Sequence, residues 1–145
     1  MRVDIGPATA ADRPAVFGLL EAAGLPLDGL EPHFDTVVVA RQDGAIVGCA
    51  ALEIYPHGAL LRSVAVADSL RGQGLGLQLT QAALDLAARS NTRAIYLLTT
   101  TAERFFPKFG FVRIARADVP ADVQQSVEFT SACPASATVM RKMLP

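Results

Sequence analysis

The stretch with the clearest chemical content is Val64-Ala65-Val66-Ala67-Asp68-Ser69-Leu70-Arg71-Gly72-Gln73-Gly74-Leu75-Gly76. An apolar run ends, the chain turns through three glycines, and an amphipathic pattern begins at once. Residues without Cβ let a backbone approach a ligand closely, and the free N–H groups of a helix start point toward it. Such a turn suits an anion, above all a phosphate, and the helix dipole adds about 1 kcal/mol. Arg71 supplies a cationic donor beside it. The two commonest phosphate cradles fail on spacing. Counting Gly-x-Gly-x-x-Gly from Gly72 puts Leu77 where the third glycine belongs, and no lysine follows these glycines as a P-loop requires.

Few other side chains carry chemistry. Glu53 closes an apolar stretch with Tyr55 on the same strand face, so it reads as a general base or as a solvated edge carboxylate. His57 titrates in the useful range but lies in a Pro-Gly turn, where a surface histidine is the better reading. Arg62 interrupts Leu60-Leu61-Arg62-Ser63-Val64, and a charge inside such a run must be paired or face a polar cleft. Either its guanidinium holds a ligand carboxylate bidentately, or it forms an ion pair with Glu53 or Asp68. Glu103 reads as a helix cap. Cys49 and Cys133 are too few for a disulfide framework or a zinc site, so no metal is expected, and Cys133 reads as a small residue packing a loop.

The 145 residues fit one domain, 1–145, and 51% hydrophobic against 19% charged residues exclude disorder. Net charge is -1 with basic residues scattered, which argues against a nucleic-acid partner. No run approaches the ~20 apolar residues of a bilayer span, and Met1-Arg2-Val3-Asp4 leads into no signal core. A cytoplasmic setting without membrane contact is the expectation.

These residues need elements to hold them. Strands are expected at 3–5, 36–41, 45–54, 60–67, 94–98, 112–116 and 138–143, with a hairpin turn at Gln42-Asp43-Gly44. Helices are expected at 10–23, with Thr9 and Asp12 as a capping pair, at 75–90, closed by Asn91-Thr92, from 101 to just before Gly110, and at 120–127. The segment 27–34 reads as a short helix or turn. The order is that of a mixed α/β domain rather than of an alternating doubly wound fold.

Arg71, Gly74 and Gly76, as Arg-x-x-Gly-x-Gly after a Val-Ala-Val strand, resemble the pyrophosphate motif of the GNAT superfamily of N-acetyltransferases. Phe105-Phe106-Pro107-Lys108-Phe109-Gly110-Phe111 is similar to the superfamily's helix ending in Gly-Phe. The resemblance covers nearly the whole chain. It implies a mixed, mostly antiparallel sheet of about seven strands, splayed between the fourth and fifth and flanked by about four helices. Acetyl-CoA is the implied co-substrate. Its pantetheine arm would pair with Val64, Ala65 and Val66, and its pyrophosphate would rest on the amides of Gly72, Gln73, Gly74, Leu75 and Gly76 beside Arg71. The Val66 amide would polarise the acetyl carbonyl, and a carboxylate, Glu53 in first place, would take the ammonium proton.

One departure stands out. Phe106 falls where a proton-donating tyrosine commonly stands, still beside the cofactor but unable to donate. Tyr55 is then the reserve acid, or the thiolate, with an ordinary pKa of about 8.5, leaves unassisted. Leu97-Leu98-Thr99-Thr100-Thr101 with the Phe-Phe and Gly-Phe pairs resembles the acetyltransferase domain of N-acetylglutamate synthases. The run Glu128-Phe129-Thr130-Ser131-Ala132-Cys133-Pro134-Ala135-Ser136-Ala137 is similar to the ArsN group, associated with arsenic resistance, some of whose members acetylate arsinothricin. Both imply an amino-acid-like amine as acceptor, with Arg62, Thr99 and Thr100 on the substrate side and a monomer or dimer as the assembly. Protein N-termini as acceptors, and a non-catalytic acetyl-CoA sensor, are the competing readings.

Overall fold

The computed structural model describes residues 3–132 and 135–144. The reading of Cys133 as a loop residue therefore lies outside the described residues.

Seven strands form one sheet: β1 (Val3–Pro7), β2 (Val37–Gln42), β3 (Ala45–Tyr55), β4 (Gly58–Val66), β5 (Ala94–Thr99), β6 (Val112–Arg113) and β7 (Thr138–Met143). Their order is β1-β2-β3-β4-β5-β7-β6, and among the described residues only the β4–β5 pair is parallel. Asp43 and Gly44 both take positive φ, at 52° and 83°, the two-residue turn that matches strand twist in the β2–β3 hairpin.

Two α-helices cover opposite faces. α1 (Arg13–Ala22) buries Val16 and Leu20 against Val37, Val39, Cys49, Ala51 and Ala65. α2 (Leu75–Arg89) buries Leu79, Ala83, Leu84 and Ala87 against Val38, Ala40, Ala50, Leu52 and Leu61. The odd and even positions of β2 and β3 thus divide between two cores, as a strand period of two requires. Asn91 takes φ 60° past the end of α2, and the Thr92 amide donates to the Ala87 carbonyl at 3.1 Å, closing the helix where expected.

The four segments expected to be helical all turn helically, though two are far shorter than their sequence pattern suggested. Residues 10–23 begin as a 3-10 turn, Ala10–Asp12, before α1. Instead of a helix from 101 to just before Gly110 there is a 3-10 turn, Phe106–Phe109. Thr99 Oγ1 accepts the amides of Thr101 and Ala102, and Pro107 has no N–H to give, so no longer ladder forms. The helix over 120–127 shrinks to Val123–Gln125, capped by Asp122 Oδ1, and is followed by a π turn, Glu128–Ala132. The strand expected at 112–116 ends at Arg113, one residue before the Ile114 amide makes its bond to Val139. Residues 31–36 form another 3-10 turn, Glu31–Thr36.

Two irregularities shape the site. β4 and β5 pair only at Ala59↔Ile95 and Leu60↔Tyr96, then separate, which is the expected splay. β4 also carries a bulge: Ala51 faces Arg62 and Cys49 faces Ala65, leaving Ser63 and Val64 opposite Ala50. Ser63 takes φ 60°, a conformation that costs a non-glycine residue about 1–2 kcal/mol. The extra residue resets the alternation. Without it Arg62, Val64 and Val66 would share one face; with it Arg62 and Ala65 lie toward α1 while Val64 and Val66 pack with the α2 core.

Candidate active site

The glycine turn is built as an anion site. Gly72 and Gly74 take φ of 82° and 83°, and Gly74 is the left-handed residue that admits α2. A Cβ on either would meet nothing within 4 Å, so glycine is required here for conformation rather than for space. The first intrahelical bond runs from the Gln78 amide to the Gly74 carbonyl at 3.1 Å. The amides of Leu75, Gly76 and Leu77 precede it and have no helical acceptor. Arg71 lies alongside, exposed, with Nε 3.4 Å from the Val66 carbonyl and Nη2 3.3 Å from Asp68 Oδ1.

The splay frees backbone on β4. The Ala67 amide donates to the Val47 carbonyl at 2.8 Å, toward β3. Strand alternation then turns Ala65 toward β3 as well and aims the N–H and C=O of Val64 and Val66 into the gap beside β5. The bond from Arg71 to the Val66 carbonyl comes from that side. Val66 and Val64 thus present amides where a strand partner is missing.

Two cavities open from the gap. One, of about 640 Å³, runs from Val64–Val66 along the 70–77 turn to Phe105, Phe106 and Lys108. The other, of about 270 Å³, lies between 61–64 and 97–102 and reaches Gly24, Leu25, Pro26 and Glu128. Val64 and Phe106 line both, so the two spaces meet where β4 and β5 part. Phe106 is buried there, edge-on to Phe105 at 5.1 Å and to Phe111 at 5.8 Å. Thr99 and Thr100 stand in the wall of the smaller cavity.

Arg62 and Glu53 settle the alternatives left open for them. Arg62 Nη1 lies 2.9 Å from Glu53 Oε2, and both side chains are almost fully buried, so the partner is Glu53 and not Asp68. Nη1 also donates to the Asp28 carbonyl at 2.8 Å, Nη2 to the Pro26 carbonyl at 3.0 Å, and Nε to Ser63 Oγ at 3.1 Å. Nη2 stands 3.6 Å from Glu128 Oε2. All five N–H groups of a guanidinium are engaged or aimed by these partners. Of the two readings of Arg62, a clamp for a ligand carboxylate or an ion pair with Glu53 or Asp68, the buried pair with Glu53 is the one that forms.

Glu53 is no solvated edge carboxylate. Its Oε1 accepts the Tyr55 hydroxyl at 2.6 Å, with His33 Nε2 3.7 Å away, and it does not reach the wall of either cavity. Burial first, and then the Glu53 carboxylate, raise the Tyr55 phenol above its ordinary value, and Tyr55 lines neither cavity. It is no reserve acid for this site. His57 is a surface residue, its Nδ1 3.1 Å from Asp122 Oδ2. Glu103 caps no helix: the Phe106–Phe109 turn starts from Phe105 with no side-chain cap bond, and Glu103 Oε1 lies 3.5 Å from the Thr138 hydroxyl. Among the described residues no three His, Cys, Asp or Glu side chains come together as a metal site would need.

The sequence reading passed over Ser63, Glu128 and the loop carbonyls of Pro26 and Asp28. Glu128 carried a visible signal, an acidic residue in the stretch Ser126-Val127-Glu128-Phe129. The carbonyls had none, since any residue supplies one.

A turn of this kind beside an open strand edge has counterparts among known proteins. The model of the acetyltransferase (GNAT) domain family matches residues 33–113. The chain belongs to that family. Among curated relatives, the amino-acid acetyltransferase of Aeromonas salmonicida is 31% identical over 98 residues, 66% of this chain and 22% of the relative. That of Ralstonia nicotianae is 34% identical over 95 residues, 64% of this chain and 21% of the relative. The GNAT domain thus spans about a fifth of the length of these relatives. Its fold superposes on N-acetylglutamate synthase from Neisseria gonorrhoeae complexed with coenzyme A and N-acetyl-glutamate. That match has a TM-score of 0.85 at 22% identity, over 100% of this chain and 36% of that one. Rv2747 from Mycobacterium tuberculosis, in complex with CoA, matches with a TM-score of 0.82 at 24% identity, over 98% and 99% of the two chains.

Proposed function

We infer that this GNAT domain transfers the acetyl group of acetyl-CoA to the amine of a small amino-acid-like molecule. The observation that carries the reading is the meeting of the two cavities at Val64 and Phe106. In it the larger cavity takes the coenzyme: pyrophosphate on the amides of 72–76 beside Arg71, pantetheine along Val64–Val66, acetyl group at the junction. The smaller cavity takes the acceptor, with Thr99 and Thr100 in its wall. Holding both reactants at the junction supplies proximity worth about 7–11 kcal/mol of barrier.

The Val66 N–H serves the developing oxyanion, since it needs no rearrangement to point into the gap. The thiolate leaves without a tyrosine's help, Phe106 standing where that group would be. The amino-acid acetyltransferases among the relatives support the acceptor class, and the ArsN-like C-terminal run points within it to arsinothricin or a related glutamate analogue. Action in the cytoplasm as a monomer or homodimer completes the reading.

The test is acetyl transfer to glutamate, phosphinothricin and arsinothricin side by side, read as CoA thiol release. Turnover with arsinothricin well above glutamate supports the detoxifying role. Inactivity toward all three removes the amino-acid reading. A non-catalytic sensor rests on one specific observation, the missing phenol at Phe106, and predicts CoA binding without turnover on any amine.

A further inference from the structure

Among the described residues, Leu25, Val64, Thr101, Ala102 and Phe106 line both cavities, so they form a collar where the two spaces meet. All but Thr101 are apolar. They come from separate parts of the chain: the exit of α1, β4, the loop after β5 and the 106–109 turn. Leu25 and Phe106 are the bulkiest members.

Each wall of the collar is held in place. α1 runs out through Gly24 at φ 72°; the Gly24 amide donates to the Glu21 carbonyl at 3.1 Å and the Leu25 amide to the Leu20 carbonyl at 3.0 Å. These are the two bonds of a Schellman motif, and Leu25 packs on the α1 core as the residue after such a glycine commonly does. Thr99 Oγ1 accepts the Ala102 amide at 2.9 Å and so ties down the loop after β5. Phe105 and Phe111 hold the Phe106 ring edge-on. Val64 follows directly on the bulge at Ser63. Walls this constrained do not widen freely, because packed side chains resist displacement by even one methylene.

Resting on the acetyltransferase reading, we propose that Leu25 and Phe106 set the length of the acyl group that the domain accepts, closing the collar to chains longer than acetyl. With the thioester carbonyl on the Val66 amide, the acyl carbon lies at the junction and its chain occupies the collar. An acetyl group brings a single methyl there. Each further methylene either meets the Leu25 or Phe106 side chain or passes into the 270 Å³ of the smaller cavity, taking room from the acceptor. The donor is therefore acetyl-CoA in preference to propionyl- and butyryl-CoA, by about tenfold or more for each methylene added. The ring at position 106 thus has a use that needs no hydroxyl.

The experiment measures kcat/KM for acetyl-, propionyl- and butyryl-CoA, using whichever amine wild type acetylates. Wild type is expected to prefer acetyl-CoA to butyryl-CoA by about 100-fold or more. Leu25→Ala and Phe106→Ala should each raise the butyryl-to-acetyl ratio about tenfold or more. A merely structural role lowers the rate with every donor by one common factor, and an unchanged ratio in both variants overturns the proposal. A wild type that uses butyryl-CoA as readily as acetyl-CoA overturns it too. Should Phe106→Ala not fold, Leu25→Ala, at a half-buried position, decides alone. If wild type acetylates no amine, the acetyltransferase reading falls, which is a distinct outcome. The Kd values of the three thioesters, by calorimetry without amine, then decide by the same ratios whether the collar sorts them.

Discussion

Arg62 and Glu53 meet diagonally across β4 and β3, Nη1 to Oε2 at 2.9 Å, with 0% and 1% of their side chains exposed. Burying two charges is costly, and breaking such a pair from one side costs about 3–5 kcal/mol because a lone charge remains. Glu53→Ala is therefore expected to lose that much in urea unfolding. Replacing both, as Arg62→Met with Glu53→Leu, should recover most of the loss. A Glu53→Ala protein as stable as wild type would show that the pair does not form.

Gly74 carries the second prediction. Its φ of 83° is one that a side chain resists, at about 1–2 kcal/mol, although its Cβ site is open. Gly74→Val should move the first amides of α2 and raise the Kd for CoA about tenfold or more. Gly18→Ala, also in open space but within α1, should leave that Kd unchanged. Equal CoA affinity in Gly74→Val would detach the turn from coenzyme binding.

Much of this was legible in the residues. The strands at 37–42, 45–55 and 94–99 and the helix at 75–89 follow from unbroken patterns with proper turn and cap residues. The helices read at 101–109 and 120–127 show where pattern misleads: apolar spacing persists, but Thr99 and Pro107 in one and the Asp122 cap in the other favour single turns. Arg62 announced itself as a buried charge, yet its partners could not be chosen, since two carbonyls and Glu128 reach it only through folding. The bulge at Ser63 was invisible because nothing in Leu61-Arg62-Ser63-Val64 distinguishes a bulged strand from a regular one.

The absence of a phenol at Phe106 makes a kinetic statement. If no side-chain acid aids the thiolate, kcat should show no loss between pH 8 and about 10 of the kind an ionising tyrosine causes. Tyr55, raised above its ordinary value by burial and Glu53, stays protonated through that range and lies off both cavities. Tyr55→Phe is accordingly expected to leave the alkaline limb unaltered. A falling limb abolished by Tyr55→Phe would restore Tyr55 as the acid.

Cys49 should be chemically silent. It is buried between the α1 core and β4, its Sγ 3.2 Å from the Ser63 carbonyl. Burial pushes its thiol up to about 12, so thiolate is scarce at neutral pH. In a Cys133→Ser background, Ellman's reagent at pH 8 should find no thiol in the native protein and one after unfolding. Rapid reaction of the native variant would contradict the burial.

Asp12 ties the chain's start to the sheet. Its carboxylate accepts from the Thr9 amide at 2.8 Å and the Thr9 hydroxyl at 3.1 Å, and pairs through both oxygens with the Arg41 guanidinium on β2. The Arg41 bonds first, and then the Thr9 amide, hold it well below the ordinary 3.8. A depressed folded-state pKa stabilises the fold fully above the unfolded value, and that contribution vanishes as pH falls through the folded one. Asp12→Asn should thus cost about 1.5–3 kcal/mol at pH 7, the range for bonds to a charged group. The gap between wild type and variant should narrow steadily as pH drops below 3.8, in urea titrations run at each pH. A gap that stays constant into that range would mean the carboxylate gains nothing from Arg41.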